Sequence, residues 1–143
     1  MNKLDNRVIE FILEHHVLVL ATVENNKPYC CDCYYAYNQE KNYFVLKSNI
    51  ETLHYNQLKT NKNVSASIVL ETSEVGKIQG LQICGVVNND NTELLTEAKK
   101  VYLKKFPFAI AMSGEYIVLE PNLLKMTDNR FGFGKKFVWI KDN

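Results

Sequence analysis

Between Val17 and Ser48 the chain offers three β-rich runs in close succession, and their spacing restricts the fold more than any other feature. Val17 to Val23 is rich in β-branched residues and stops at Glu24-Asn25-Asn26-Lys27-Pro28, a turn composition. Tyr29 to Tyr37 reads as a second strand, Asn38 to Asn42 as a polar loop, and Tyr43 to Ser48 as a third strand. Strands joined by connections this short pair antiparallel, because a parallel return needs a crossover of roughly a dozen residues or more.

The rest of the chain builds around that sheet. Leu4, Val8, Ile9, Ile12 and Leu13 recur at helical spacing behind a capping Asp5, which predicts an amphipathic helix from about Asp5 to His15. Glu51 to Thr60 suits a short helix, with Asn49 or Thr52 near its start. Val64 to Leu70 returns to strand character, and Lys77 to Val87 alternates apolar and polar positions with glycines that permit a bulge. Thr92 to Phe106 carries Leu94, Leu95, Ala98, Val101, Tyr102 and Phe106 among charged residues, a second long helix limited by Pro107. Glu115 to Lys125, with Pro121 demoting its end, and Phe137 to Ile140 supply two closing strands. This order predicts an α+β fold, an antiparallel β-barrel with flanking helices, as one domain over residues 1–143.

Composition narrows the function classes. Seventeen Lys and Arg against sixteen Asp and Glu leave no net field to steer the chain toward nucleic acid or anionic lipid, so neither partner is expected. The first residues are charged where a signal peptide needs an apolar core, and no later stretch approaches ~20 apolar residues, which predicts a cytoplasmic protein. The cysteines, Cys30, Cys31, Cys33 and Cys84, are expected as thiols. In a strand Cys31 and Cys33 face one side while Cys30 and Asp32 face the other, and no second ligand pair stands nearby in sequence, so no metal is expected. No Gly-rich phosphate loop, nucleophile elbow or protease cysteine context is present.

Two segments carry the chemistry that remains. Lys47-Ser48-Asn49-Ile50-Glu51-Thr52-Leu53-His54 sets hydroxyls, a Lys and a His where a strand meets a helix N-terminus, a place able to hold a phosphate, although helix capping alone also explains Asn49 and Thr52. Asp128 to Trp139 combines aromatics, Gly132 and Gly134 with Arg130, Lys135 and Lys136; such a segment can close on a flat anionic ring, or simply turn into the last strand. His15 and His16, at the end of the first helix, read as compensation of its dipole.

These segments, from Tyr43 to His54, from Gln57 to Ser65 and from Thr127 to Trp139, resemble the pyridoxamine 5′-phosphate oxidase-like family of FMN-binding split barrels, and its YhbP-like subgroup in particular. The resemblance covers nearly the whole chain and implies a homodimer with FMN at two sites shared between subunits. It places Ser48, Thr52 and His54 at the phosphate, Lys47 beside the flavin, and Cys31, Asp32 and Cys33 along the ring through their strand backbone. Gln79 or Gln82 is implied to hydrogen-bond the ring, with Lys135, Lys136 and Trp139 arriving from the closing segment, of the partner where the geometry requires it. Leu53 and His54 stand where firm FMN binders of the family carry Arg and Lys, which implies a weaker hold on the phosphate. The Arg and His cluster with which true pyridoxamine phosphate oxidases grip substrate has no counterpart in Arg130 to Trp139, so vitamin B6 oxidation is not implied.

The reading that follows is an FMN-dependent oxidoreductase whose substrate and catalytic residues the sequence does not name. Two alternatives stay open. One is a non-enzymatic flavin or haem binder with His54, His15 or His16 as axial ligand; the other is a structural or interaction protein whose barrel has lost its ligand.

Overall fold

In the computed structural model, residues 2–143 are described. Helix α1 (Asn6–Glu14) starts where the Asp5 carboxylate accepts from the Arg7 amide at 2.8 Å and turns Val8, Phe11 and Ile12 inward. Strands β1 (Val17–Glu24) and β2 (Lys27–Asn38) are joined by Asn25 and Asn26, both with positive φ. That is the conformation a two-residue hairpin turn of matching twist requires, and asparagine tolerates it. Strand β3 (Tyr43–Ser48) follows, then α2 (Leu53–Leu58), β4 (Asn63–Val69), β5 (Gln79–Val87), α3 (Thr92–Lys105), β6 (Glu115–Asp128) and β7 (Lys136–Ile140). Single turns of 3₁₀ helix occupy Val75–Lys77, Pro107–Ala111 and Asn129–Phe131.

All pairings are antiparallel, in the order β3-β2-β1-β4-β5-β6-β7, and β3 also pairs with β6. That last pairing closes six strands into a barrel and leaves β7 as a flap on the outer half of β6. Closure removes the free edge that β3 would otherwise present, while β7, paired only with β6, keeps an open edge.

The barrel interior is filled by Leu18, Leu20, Phe44, Leu46, Leu81, Ile83, Ile117 and Leu124, with α1 packed across one end. A second apolar layer forms outside, where Ala98 and Tyr102 of α3 press on Ala36, Tyr43, Val45 and Val118. None of the helices among the described residues is long and apolar enough to cross a membrane.

Two elements depart from the sequence expectation. Strand β6 runs to Asp128 and does not weaken at Pro121. Pro121 falls between Leu119, the last partner of β3, and Leu123, the first partner of β7, so its missing N–H interrupts neither ladder. The register against β5 slips there by one residue, at Cys84 and Gly85. Gly85 is needed at that bulge, because a Cβ would sit 2.5 Å from the Glu120 carbonyl oxygen. Helix α2 is the second departure, six residues where about ten were expected.

Candidate functional site

The junction of β3 and α2 is tightly knit by its own side chains. Thr52 caps α2: its hydroxyl accepts from the Tyr55 amide at 3.3 Å and donates to the Asn49 carbonyl at 2.8 Å. Asn49 Oδ1 accepts from the Glu51 amide at 2.9 Å. With both polar side chains engaged and the helix so short, the junction serves first as a cap, and its N-terminus is not an anion site by itself.

Lys47 is held sideways, its ammonium donating to the carbonyls of Ala109 and Met112 at 2.7 and 2.6 Å, above the Tyr116 ring. It thereby ties the 3₁₀ turn of Pro107–Ala111 to β3. A cleft of about 400 Å³ opens beside it, lined by Lys47, Asn49, Tyr102, Ala109, Met112 and Ser113. A separate cleft of about 540 Å³ lies on the other side of α3, against Leu13, Tyr37 and Lys105, and includes none of the residues singled out in the sequence as binding residues.

His54 points inward. Its ring is buried, with Nε2 2.7 Å from the Ser48 hydroxyl and 3.4 Å from that of Thr52. On β2, Cys31 and Cys33 face the same interior, their sulfurs 3.8 Å apart, while Cys30 and Asp32 are exposed on the outer face. The donor atoms of Cys31, Cys33 and His54 all lie within 4.8 Å of one another. The contact with Cys33, together with His54, holds the Cys31 thiol well below the usual thiol range; the same contact and burial push Cys33 far up.

The structure therefore gathers Cys31, Cys33, Ser48, Thr52 and His54 at one place, with Lys47 alongside. Gln79, Gln82, Lys135, Lys136 and Trp139 belong to β5 and β7 instead. Gln79 is buried opposite Asp128, and Gln82 is exposed between Ser67 and Lys125. Lys135 lies over the Phe137 ring, the Lys136 ammonium donates to the Gly134 carbonyl, and the Trp139 indole donates to the Asn2 carbonyl at 3.2 Å. Lys47 pairs with Tyr116 and Lys136 with Thr127, residues eleven positions apart on β6, roughly 36 Å of strand at ~3.3 Å per residue. Within one chain the two groups occupy opposite ends of that strand.

Every member of this inner cluster stands among the sequence candidates, but the resemblance implies the cysteines along the ring and Ser48, Thr52 and His54 at the phosphate, whereas their side chains meet at one point. The hairpin register carries the signal: Tyr35 pairs with Leu46, and two further steps along the same register set Cys33 across from Ser48, six residues before His54. Gln57, which the sequence marks only as part of a family-like segment, has a role of its own: its side-chain oxygen accepts from the buried Thr22 hydroxyl at 2.6 Å, docking α2 on β1.

A closed antiparallel barrel with a strand shared between two partners and helices on its outer face defines a split β-barrel protein. The chain matches no family model. It is 31% identical over 141 residues to a UPF0306 protein of Photorhabdus laumondii, covering 97% of this chain and 99% of that one. It is 25% identical over 134 residues to the UPF0306 protein YhbP of Escherichia coli O157:H7, covering 94% and 91% respectively. The chain belongs to the UPF0306 family. Among solved structures, a haem-binding protein from Mycobacterium smegmatis superposes with a TM-score of 0.78 at 17% identity, covering 93% of this chain but only 56% of that one. An FAD-binding protein from Mesorhizobium loti gives 0.67 at 13% identity, covering 85% and 90%. At these identities the likeness is one of fold.

Proposed function

We propose that this protein binds FMN as a homodimer, in the manner of the pyridoxamine 5′-phosphate oxidase-like barrels it resembles, and that it is an oxidoreductase on a substrate other than a B6 vitamer. The observation that carries the reading is the surface around Lys47. The 400 Å³ cleft falls within the range of small-ligand sites, and exposed apolar residues stand next to its lining in sequence: Phe108, Ile110 and Met112 are 68%, 75% and 56% exposed, with Ile50 and Leu53 following Lys47 and Asn49. Apolar side chains clustered beside a cleft suit a flat ring on one side and a second subunit on the other. The likeness in fold to an FAD-binding protein supports the same reading.

The residues fit the ring better than the phosphate. Lys47 and the β2 backbone from Cys31 through Asp32 to Cys33 would border the isoalloxazine, and Lys135, Lys136 and Trp139 would come from the second copy, since within one chain they lie at the far end of β6. At the phosphate, Ser48 and Thr52 offer hydroxyls already engaged, Leu53 is exposed without charge, and His54 is turned away. FMN is accordingly held loosely and exchanges. The flavin supplies the redox chemistry when bound, while the chain orients it and shields one face.

Titration of FMN into flavin-free protein tests this reading. Saturable quenching of flavin fluorescence in the micromolar range is expected, with Lys136→Ala weakening it at unchanged melting temperature. Absence of binding at tens of micromolar overturns it. A haem-binding reading is favoured by the fold likeness to the mycobacterial protein. Of its candidate axial ligands, His15 is tied to the Phe11 carbonyl and His54 to Ser48, which leaves exposed His16. A haemin Soret band abolished by His16→Ala would establish that alternative.

A further inference from the structure

We propose that Cys31, Cys33 and His54 form a binding site for a thiophilic divalent metal ion of the zinc kind, with water as a fourth ligand. The inference stands apart from the flavin reading: it uses side chains on the inner face of β2, whereas the flavin reading uses that strand's backbone.

Geometry is the first argument. Two sulfurs at ~2.3 Å from a tetrahedral zinc ion are about 3.8 Å apart. Cys31 and Cys33 already hold that separation without an ion. The imidazole nitrogen belongs about 3.6 Å from each sulfur in such a site, and the three donor atoms lie within 4.8 Å of one another, so small side-chain rotations complete the face. Ser48 holds the ring in place beside the sulfurs, its hydroxyl 2.7 Å from Nε2.

Chemistry is the second. Two thiols and an imidazole form a soft donor set, and Asp32, the acidic residue between the two cysteines, is exposed on the opposite face, so calcium and magnesium find no oxygen cage here. Coordination would take both sulfurs as thiolates and release their protons to solvent. Three protein ligands with one half-exposed member leave a vertex open to solvent, the pattern of sites that keep an exchangeable position.

Position is the third. The ligands come from β2 and from α2, which follows β3, so an ion would staple the short helix to the barrel, a helix otherwise docked through its cap, the Thr22–Gln57 hydrogen bond and apolar contacts. Sequence alone could not show this, because His54 is twenty-one residues from Cys33.

The test uses reduced, flavin-free and chelator-treated full-length protein titrated with cobalt(II) alone. A near-ultraviolet thiolate-to-cobalt band saturating at one ion per chain, and bleached by zinc(II), is expected. Cys31→Ser and His54→Ala should each weaken cobalt binding at least roughly tenfold. Cys30→Ser, on the outer face, should leave it unchanged. Far-ultraviolet circular dichroism and the melting curve of metal-free Cys31→Ser check that the fold persists, since Cys31 is half-exposed. Absence of the charge-transfer band, or equal weakening by Cys30→Ser and Cys31→Ser, overturns the proposal. Because no flavin is present, neither result bears on FMN binding.

Discussion

Gly114→Ala offers the sharpest test of how the site is braced. Gly114 leads into β6 with a φ of +134°, and a Cβ built there meets the Ser48 carbonyl oxygen at 2.8 Å and its carbon at 3.1 Å. A φ in this region is held almost only by glycine and costs other residues about 1–3 kcal/mol. The overlap is with backbone, so no side-chain rotation relieves it, and overpacking of this kind costs about 1–3 kcal/mol more. Two other glycines separate these contributions. Gly132, at φ +128°, has nothing within 4 Å of a would-be Cβ, so its alanine variant feels the backbone strain alone. Gly76 has open space and no positive φ, and its variant should stay within about 0.5 kcal/mol of the parent or gain slightly. Urea denaturation should therefore rank Gly114→Ala below Gly132→Ala below Gly76→Ala, with Gly114→Ala losing about 3 kcal/mol, or roughly 6–12 °C in melting temperature. Gly114→Ala indistinguishable from Gly132→Ala would refute a rigid contact behind Ser48.

Two further outcomes follow from the buried polar pairs. Thr22→Val leaves the Gln57 oxygen buried and unpaired and should cost about 1–3 kcal/mol, while combining it with Gln57→Leu should cost measurably less than the sum of the single changes; additivity within about 0.5 kcal/mol in urea unfolding would show that the 2.6 Å hydrogen bond is not a coupled pair. Asp128 is fully buried, accepts from the Arg130 amide and guanidinium at 2.8 to 3.0 Å, and has its carboxyl held below the usual carboxylate range chiefly by that guanidinium. Its folded pKa is depressed, so its contribution is complete above the unfolded value of ~3.9 and is lost as pH falls through the folded value; Asp128→Asn should flatten the acid limb of the stability curve below about pH 4 and leave its slope near neutrality unchanged.

Much of this architecture could be read from local pattern. The hairpin from Val17 to Ser48 is legible because alternation and turn chemistry agree, and β3 begins and ends where its composition says it should. Asp5, Thr52 and Asn91 each cap the helix that follows them, and two of these were visible as sequence signals. Where reading failed, a partner strand decided the outcome. Pro121 looks like a strand terminator until β6 is seen to change partners at that point, which is a property of closure and not of the residues around it.

The same distinction explains the site. Residue type marked Lys47, Ser48, Thr52 and His54 as candidates, but whether a histidine at a helix start faces solvent or core depends on how that helix docks. Gln57 contributes to this by accepting from Thr22 on β1, which holds α2 against the barrel. His54 then meets Ser48 and the two inward cysteines, while Leu53 faces out. A phosphate site needs its donors at the surface, and a metal site needs them gathered beneath it. The docking of this one short helix turns His54 away from a surface phosphate site and toward Cys31 and Cys33, as the proposed metal site requires, and leaves Lys47 beside the cleft where a ring would lie.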